Sequence, residues 1–411
     1  LFRSNIIDFS NNINYDIIDN ILLHKFDLLG SDNIIISHQT NVNGFEKTKY
    51  NNILPIFNSL DDACNYLISE DVRNKSYKLI ELISDDYQLI DWQLDFRSGY
   101  RWSEKNKSKY IKIGDVHGAD MKVPWEQARL QHLPLLALYY AQNPDLENSE
   151  KEQILKEFCN QILDFIAFNP INYGIHWKVG MEVSIRTVNI AIAYQILKYR
   201  GTQFSKEFEN ILLQFVSDSI QFIINNIEWS GGLRGNHYFT NISAMLYLSL
   251  FFDGNENDEL CNFSINEIVN ETLVQFNQDG GNFEGSFCYH LSMVEMLLWN
   301  LFLIGEIGDG QLEKHPLYND FQNRLEKILD YTANMLGRND YIPQIGDNDS
   351  GYFLGFSPNS NSLKNIQFIM KLIDSNTTAT TIFSQVKKSL FFNNLINNEN
   401  VDSSEKQIIF P

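Results

Sequence analysis

From about residue 123 onward the chain carries apolar residues at i, i+3, i+4 and i+7 with little strand-like alternation, the mark of amphipathic helices. The pattern predicts helices near 123–142, 149–168, 180–199, 205–228, 236–252, 264–277, 286–305 and 316–337. Charge sorts them into two kinds. The segments at 149–168, 205–228 and 316–337 are rich in Glu, Lys, Asp and Gln, whereas 180–199, 236–252 and 286–305 are almost wholly apolar after the first turn. Inward and outward helices therefore alternate. Pro124, Gly180, Gly235 and Gly285, which open the inward segments, lie 56, 55 and 50 residues apart, each interval holding one helix pair and a loop back. Such a period predicts a solenoid or a ring of helical hairpins. Fully apolar inner helices need cover on all sides, so the expectation is an all-α fold, an incomplete α/α toroid of helical hairpins with little β structure.

The flanks are less regular. Segments 12–27 and 58–84 have helical patterning and Asn33 to His38 suits a short strand, with no linker composition after them. Residues 1–90 are thus expected to form an N-terminal helical segment continuous with the toroid, and 91–358 the toroid itself. The polar stretch 359–411, with helices near 362–373 and 380–396, is expected to hold C-terminal helices and a linker. The longest apolar run, Met296 to Ile304, is interrupted by Asn300 and falls short of the roughly 18 residues of a membrane span, so none is expected.

Composition narrows the function. A net charge of −20 argues against nucleic acid or an anionic membrane as partner, since both attract basic surfaces. Cys64, Cys159, Cys261 and Cys288 are scattered without CxxC spacing, and there is no Walker A, GxGxxG, GxSxG or HExxH motif, so neither metal nor cofactor is expected. Asp347 and Asp349 lie in a Gly-flanked turn that weakly suggests a calcium loop but has no glutamate at its twelfth position.

The polar residues that interrupt the inner helices fall in the loop and first turn before each one, and a toroid brings those turns to one rim. They are Trp125, Glu126 and Arg129; His176, Trp177, Lys178, Glu182 and Arg186; Arg234, Asn236 and His237; then Asn282, Glu284, Tyr289 and His290. Helix N-termini add positive partial charge there. Aromatics, cations and a carboxamide suit a sugar bearing carboxylates. Each group also has a structural reading: Glu126 with Arg129 and Glu182 with Arg186 at helical spacing as ion pairs, Trp125 and Trp177 as core, Asn236 as a helix cap, Tyr289 as packing.

In this order the motifs resemble those of the heparinase II/III-like polysaccharide lyases. The match runs through Phe26-Asp-Leu-Leu-Gly30, Asp91-Trp-Gln-Leu-Asp95, Lys122-Val-Pro-Trp-Glu126 with Arg129, Gly174-Ile-His-Trp177, Met181-Glu-Val-Ser-Ile-Arg186, Gly235-Asn-His237, Glu284-Gly-Ser286, Tyr289-His290 and Ile345-Gly-Asp347. The resemblance implies a toroid followed by a β-sandwich, which in such proteins begins near a Phe-Pro pair, here Phe410-Pro411, so the chain is expected to stop where that second domain starts. It implies β-elimination of a uronic-acid polysaccharide: Asn236 and His237 neutralise the carboxylate, Tyr289 is base and acid, and His290 orients Tyr289 or shares its work. Arg129, Arg186 and Trp177 position sugar rings and carboxylates, and Glu182 orients Arg186; Trp125, Lys178, Arg234 and Glu284 complete the binding set.

Two other classes stay open. A toroid glycoside hydrolase would pair Glu284 with Asp347 or Asp115, leaving the Asn-His and Tyr-His pairs idle. Some relatives draw a catalytic residue from the sandwich, so a glycan-binding or surface-polysaccharide assembly factor is the third. Heparan-like glycosaminoglycans, alginate and bacterial capsular uronates all offer the same reacting carbon, and few Lys and Arg clusters favour the less sulfated ones. Such a polymer suits a periplasmic or secreted protein, although Leu1-Phe2-Arg3 begins no apolar signal region. Oligomeric state has no signal.

Overall fold

Pro134 decides how the repeat begins. It has no N–H to give, and its ring would strike the carbonyl four residues earlier, so one helix over 123–142 cannot form. The chain instead makes α4 (Lys122–Ala128) and α5 (His132–Gln142), turning at Leu130, which takes a φ of 53°. The computed structural model describes residues 13–51, 54–229, 234–252, 255–307, 310–336, 342–348, 351–357, 361–375, 381–389 and 391–392. Asp349, the Phe410-Pro411 pair and the end of the helix expected near 380–396 lie outside the described residues.

Before the repeat stand α1 (Tyr15–Leu22), the two-residue strands β1 (Lys25–Phe26) and β2 (Ile34–Ile35), paired antiparallel, and α2 (Leu60–Leu67) and α3 (Glu70–Ile80). The single helix expected over 58–84 divides because Ser59 and Ser69 each begin a helix; Ser59 Oγ accepts the Asp62 N–H at 3.1 Å. Beyond α5 the pairs follow: α6 (Asn148–Phe168), α7 (Gly180–Tyr199), α8 (Lys206–Asn225), α9 (Asn236–Ser249), α10 (Asn255–Gln275), α11 (Phe287–Ile307), α12 (Tyr318–Leu336), α13 (Ser362–Ser375) and α14 (Thr381–Lys388).

The inner layer packs in series, α5 on α7, α7 on α9, α9 on α11 and α11 on α13. Outside it lie α3, α6, α8, α10, α12 and α14, each against an inner helix or its own neighbours. This is an incomplete α/α toroid, and the two-stranded β1–β2 pair is the one sheet among the described residues. Two details differ from expectation. Helix α13, read as lying beyond the ring, is its fifth inner helix; and α11 is long and apolar enough to cross a membrane by length and composition, yet is mostly buried in the inner layer between α9 and α13.

A strap of main chain, residues 351–357, crosses that layer. Asn189 of α7 donates Nδ2–H to the Phe353 carbonyl and accepts the Gly355 N–H, both at 2.9 Å. Glu295 of α11 accepts the Phe353 and Leu354 N–H groups at 3.0 and 2.8 Å and the Asn365 side chain at 2.8 Å through the same oxygen. Polar residues inside apolar helices are here the partners of main chain that has no ladder of its own.

Candidate functional site

The first turns of α7 and α9 and the loop before α11 meet the α4–α5 junction on one rim, joined by Arg129 with Glu182, by Glu228 between Met181 and His237, and by Glu284 on Asn236. Asn236 is the first helical residue of α9, after Gly235, so its side chain does not cap the helix. Glu284, from the loop before α11, does so across the gap: its Oε1 accepts the Asn236 N–H at 3.0 Å, and both carboxylate oxygens take the Asn236 Nδ2 hydrogens at 2.9 Å. The amide oxygen of Asn236 has no donor among the described residues.

His237 follows on the same turn, its side chain 49% exposed. Its Nδ1 lies 2.7 Å from Oε1 of Glu228. Glu228 was not singled out in the sequence, where it is one acidic residue at the end of an acidic helix.

Tyr289 is half-buried in the first turn of α11, where Ser286 Oγ accepts its N–H at 3.3 Å and donates to the Asp347 carbonyl at 2.5 Å. His290 is buried beside it, stacked on Phe287. Its Nδ1 accepts the Asn282 N–H at 3.2 Å, so Nε2 carries the proton and donates to Thr332 Oγ1 at 2.8 Å; Thr332 donates onward to Ile328. Burial pulls its pKa down to about 3. A neutral imidazole with both nitrogens engaged is an anchor and not a shared acid and base. What it anchors matters, because Asn282 Oδ1 accepts the Glu284 N–H at 3.0 Å. One chain of bonds thus ties the turn bearing Tyr289 to Asn236: His290, Asn282, Glu284, Asn236.

The expected cations are mostly spoken for. Arg129 is buried between Glu126 and Glu182, the latter bound through Nε and Nη2 at 2.9 Å each. Burial alone lowers the guanidinium's pKa, and the two carboxylates overcome it and hold it above its usual value. Glu182 therefore orients Arg129, not Arg186. Arg186 is 0% exposed and lies over the rings of Phe165 and Trp177, donating to the His176 carbonyl at 2.9 Å. Burial brings it down to about 9, the Glu182 charge offsetting part. Trp177, 2% exposed, donates to the Asn169 carbonyl at 2.8 Å, and Trp125, 6% exposed, to that of Ile175 at 3.1 Å. Neither ring offers a face to a sugar. These groups are buried because a guanidinium or indole on the inner side of a first turn must be covered by the neighbouring helix, and it is kept there by pairing.

Arg234 pairs with buried Glu271 at 2.9 Å and lies 5.0 Å from the centre of the Trp229 ring. Lys178 is half-buried with no ion pair among the described residues. Trp229, 51% exposed, and Phe283 flank Glu228 and Glu284 and are the accessible aromatics of this rim, which composition alone did not separate from the core ones. Asp347 and Asp115 are exposed, and the described residues hold no group of three metal-binding side chains.

The family described as Heparinase II/III N-terminus matches residues 58–357. No curated protein matches the sequence. Among solved structures, a heparinase III gene product is 19% identical with a TM-score of 0.43, covering 71% of this chain and 44% of that one. The heparan sulfate lyase HepC of Pedobacter heparinus is 17% identical with a TM-score of 0.42, over 68% and 40% of the two chains, and another heparinase III is 17% identical with a TM-score of 0.43, over 80% and 47%. The chain spans less than half the length of each.

Proposed function

The chain belongs to the Heparinase II/III N-terminus family, and from that premise we propose that it acts on a uronic-acid-containing polysaccharide by β-elimination. The observation that supports this best is the bonded pair of first turns: Asn236 and His237 on α9, tied through Glu284, Asn282 and His290 to the turn that carries Tyr289.

The difficult step is removal of the C5 proton beside a carboxylate whose negative charge opposes the developing carbanion. Asn236 and His237 hydrogen-bond that carboxylate and let charge spread onto it. Tyr289, as the phenolate, takes the C5 proton; the C4–C5 double bond forms as the C4–O bond breaks, and the phenol so formed gives that proton to the leaving glycosidic oxygen, which regenerates the phenolate. Glu284, with both oxygens on Asn236, is a positioning residue. Arg129, Arg186, Glu182, Trp125 and Trp177 act from beneath, holding the helix ends in register, while Lys178, Arg234 and Trp229 are the side chains left to meet the polymer.

Because most rim cations already carry carboxylates, the preferred polymers are those with one carboxylate per repeat and few sulfates. The test is to follow the absorbance of the unsaturated product with heparan-type, unsulfated and alginate-type polymers. Tyr289→Phe is expected to lose on the order of 10²–10⁴-fold in turnover while retaining polymer binding. Full activity in that variant overturns the assignment; reducing ends without the chromophore indicate hydrolysis instead.

A further inference from the structure

Glu228 is held on three sides. Its Oε2 accepts the Met181 N–H at 2.6 Å, near the start of α7, and lies 3.5 Å from Asn241 Nδ2; its own N–H donates to Asn241 Oδ1 at 2.9 Å. The approach to α7 is close, since a Cβ on Gly180 would stand 3.3 Å from Oε2. The N-terminus of a 20-residue helix stabilises the anion there. The remaining oxygen faces Nδ1 of His237 at 2.7 Å.

That contact constrains the imidazole. A carboxylate accepts only, so Nδ1 carries a proton whenever Glu228 is ionised. In the neutral ring Nε2 then has a lone pair and no hydrogen, and would repel a substrate carboxylate. Only the doubly protonated ring donates from Nε2, which has no partner among the described residues.

We propose that Glu228 is a positioning residue that makes His237 a cationic donor to the substrate carboxylate, so that this half of the charge neutralisation works only when His237 is protonated. The proposal rests on the elimination reading for its kinetic consequence and on the geometry alone for the state of the ring. The charged groups facing His237 are Glu228 from the loop after α8, Glu182 from the first turn of α7 and Glu284 from the loop before α11. Burial works against the cation, and the Glu228 bond together with the three negative charges outweighs it, so the ring titrates above the ordinary histidine value.

The experiment has two readouts on the same chain. The His237 ring resonances are followed by NMR against pH in wild type and in Glu228→Gln, with His237→Gln identifying the signals and melting temperatures checking the fold. Alongside, kcat/KM is measured against pH on the best uronate polymer. The wild-type ring is expected to titrate above 6.5, and Glu228→Gln to lower that midpoint by about one pH unit. The alkaline fall in kcat/KM should move down by the same amount. A wild-type midpoint at or below 6.5, or one unmoved in a folded Glu228→Gln protein, overturns the proposal. If Glu228→Gln fails to fold, the wild-type midpoint decides. If no uronate polymer yields the unsaturated product, the elimination reading falls, and the titration still answers for Glu228.

Discussion

Arg129 shows how a residue's chemistry is reassigned by burial. A guanidinium on a rim suggests a hand for carboxylates, but this one is shared by Glu126 and Glu182 and covered by neighbouring helices. Removing it leaves two buried carboxylates facing each other. Arg129→Met is therefore expected to cost about 3–5 kcal/mol of stability, the usual penalty for breaking a buried ion pair from one side. Adding Glu126→Gln and Glu182→Gln to the same protein should recover much of that loss. Urea denaturation of the single and triple variants checks this; equal stability of Arg129→Met and wild type would show that the cluster stabilises nothing. The i,i+3 half of the cluster could be seen in the sequence, because helical spacing makes Glu126 and Arg129 neighbours. Glu182, 53 positions away from Arg129, could not, and the same holds for Glu228 with His237, where partnership depends on which two turns the fold brings together.

At the scale of elements, periodicity located the repeat well because its inner helices are apolar on every side and its outer ones on a single stripe. The boundaries it missed have local causes, Pro134 for the α4–α5 break and Ser69 for the division of α2 from α3. What periodicity could not reveal is the strap at 351–357, which has no helical or alternating pattern. Its only trace in the sequence is a set of polar residues, Asn189 and Glu295 among them, sitting in helices otherwise too apolar to hold them. Gly355 is the tightest point of the strap: a Cβ there would stand 1.8 Å from the Gln131 carbonyl oxygen. The strap cannot yield without breaking its Asn189 and Glu295 bonds, so Gly355→Ala is expected to destabilise the fold by about 1–3 kcal/mol or more, as overpacking does. The Phe353 and Leu354 N–H groups are held by Glu295 within the same strap, so the same variant should also raise hydrogen exchange at those two amides. A melting temperature unchanged from wild type would mean that the strap is not clamped as described.

Over the whole molecule, the buried titratable groups set a direction for stability against pH. Burial lowers His132 to about 4 and His176 and His290 to about 3, against 6.5 for a free ring. Between those values the unfolded chain binds more protons than the folded one, so stability rises with pH up to about 6.5 and these three contribute nothing further above it. Two buried carboxyls act in the opposite sense. Asp164, held by Ile90 N–H and Tyr87, is raised from 3.8 to about 8, and Glu295 from 4.5 to about 7, in both cases chiefly by burial. From their free values up to those pKa values the folded state binds the extra protons, so stability falls as pH rises. Below 6.5 the histidines and the carboxyls largely cancel. Above it the carboxyls act alone, joined by His237, whose raised pKa means that its favourable bond to Glu228 weakens as the ring loses its proton. The protein is thus expected to be most stable near pH 6–7 and to lose stability toward pH 8.5. Asp164→Asn, which keeps an oxygen for Ile90 and cannot ionise, should flatten the alkaline fall. Melting temperatures from pH 5 to 9 decide the matter, and a rise between 6.5 and 8.5 in the wild-type protein would show that these carboxyls are not protonated in the fold.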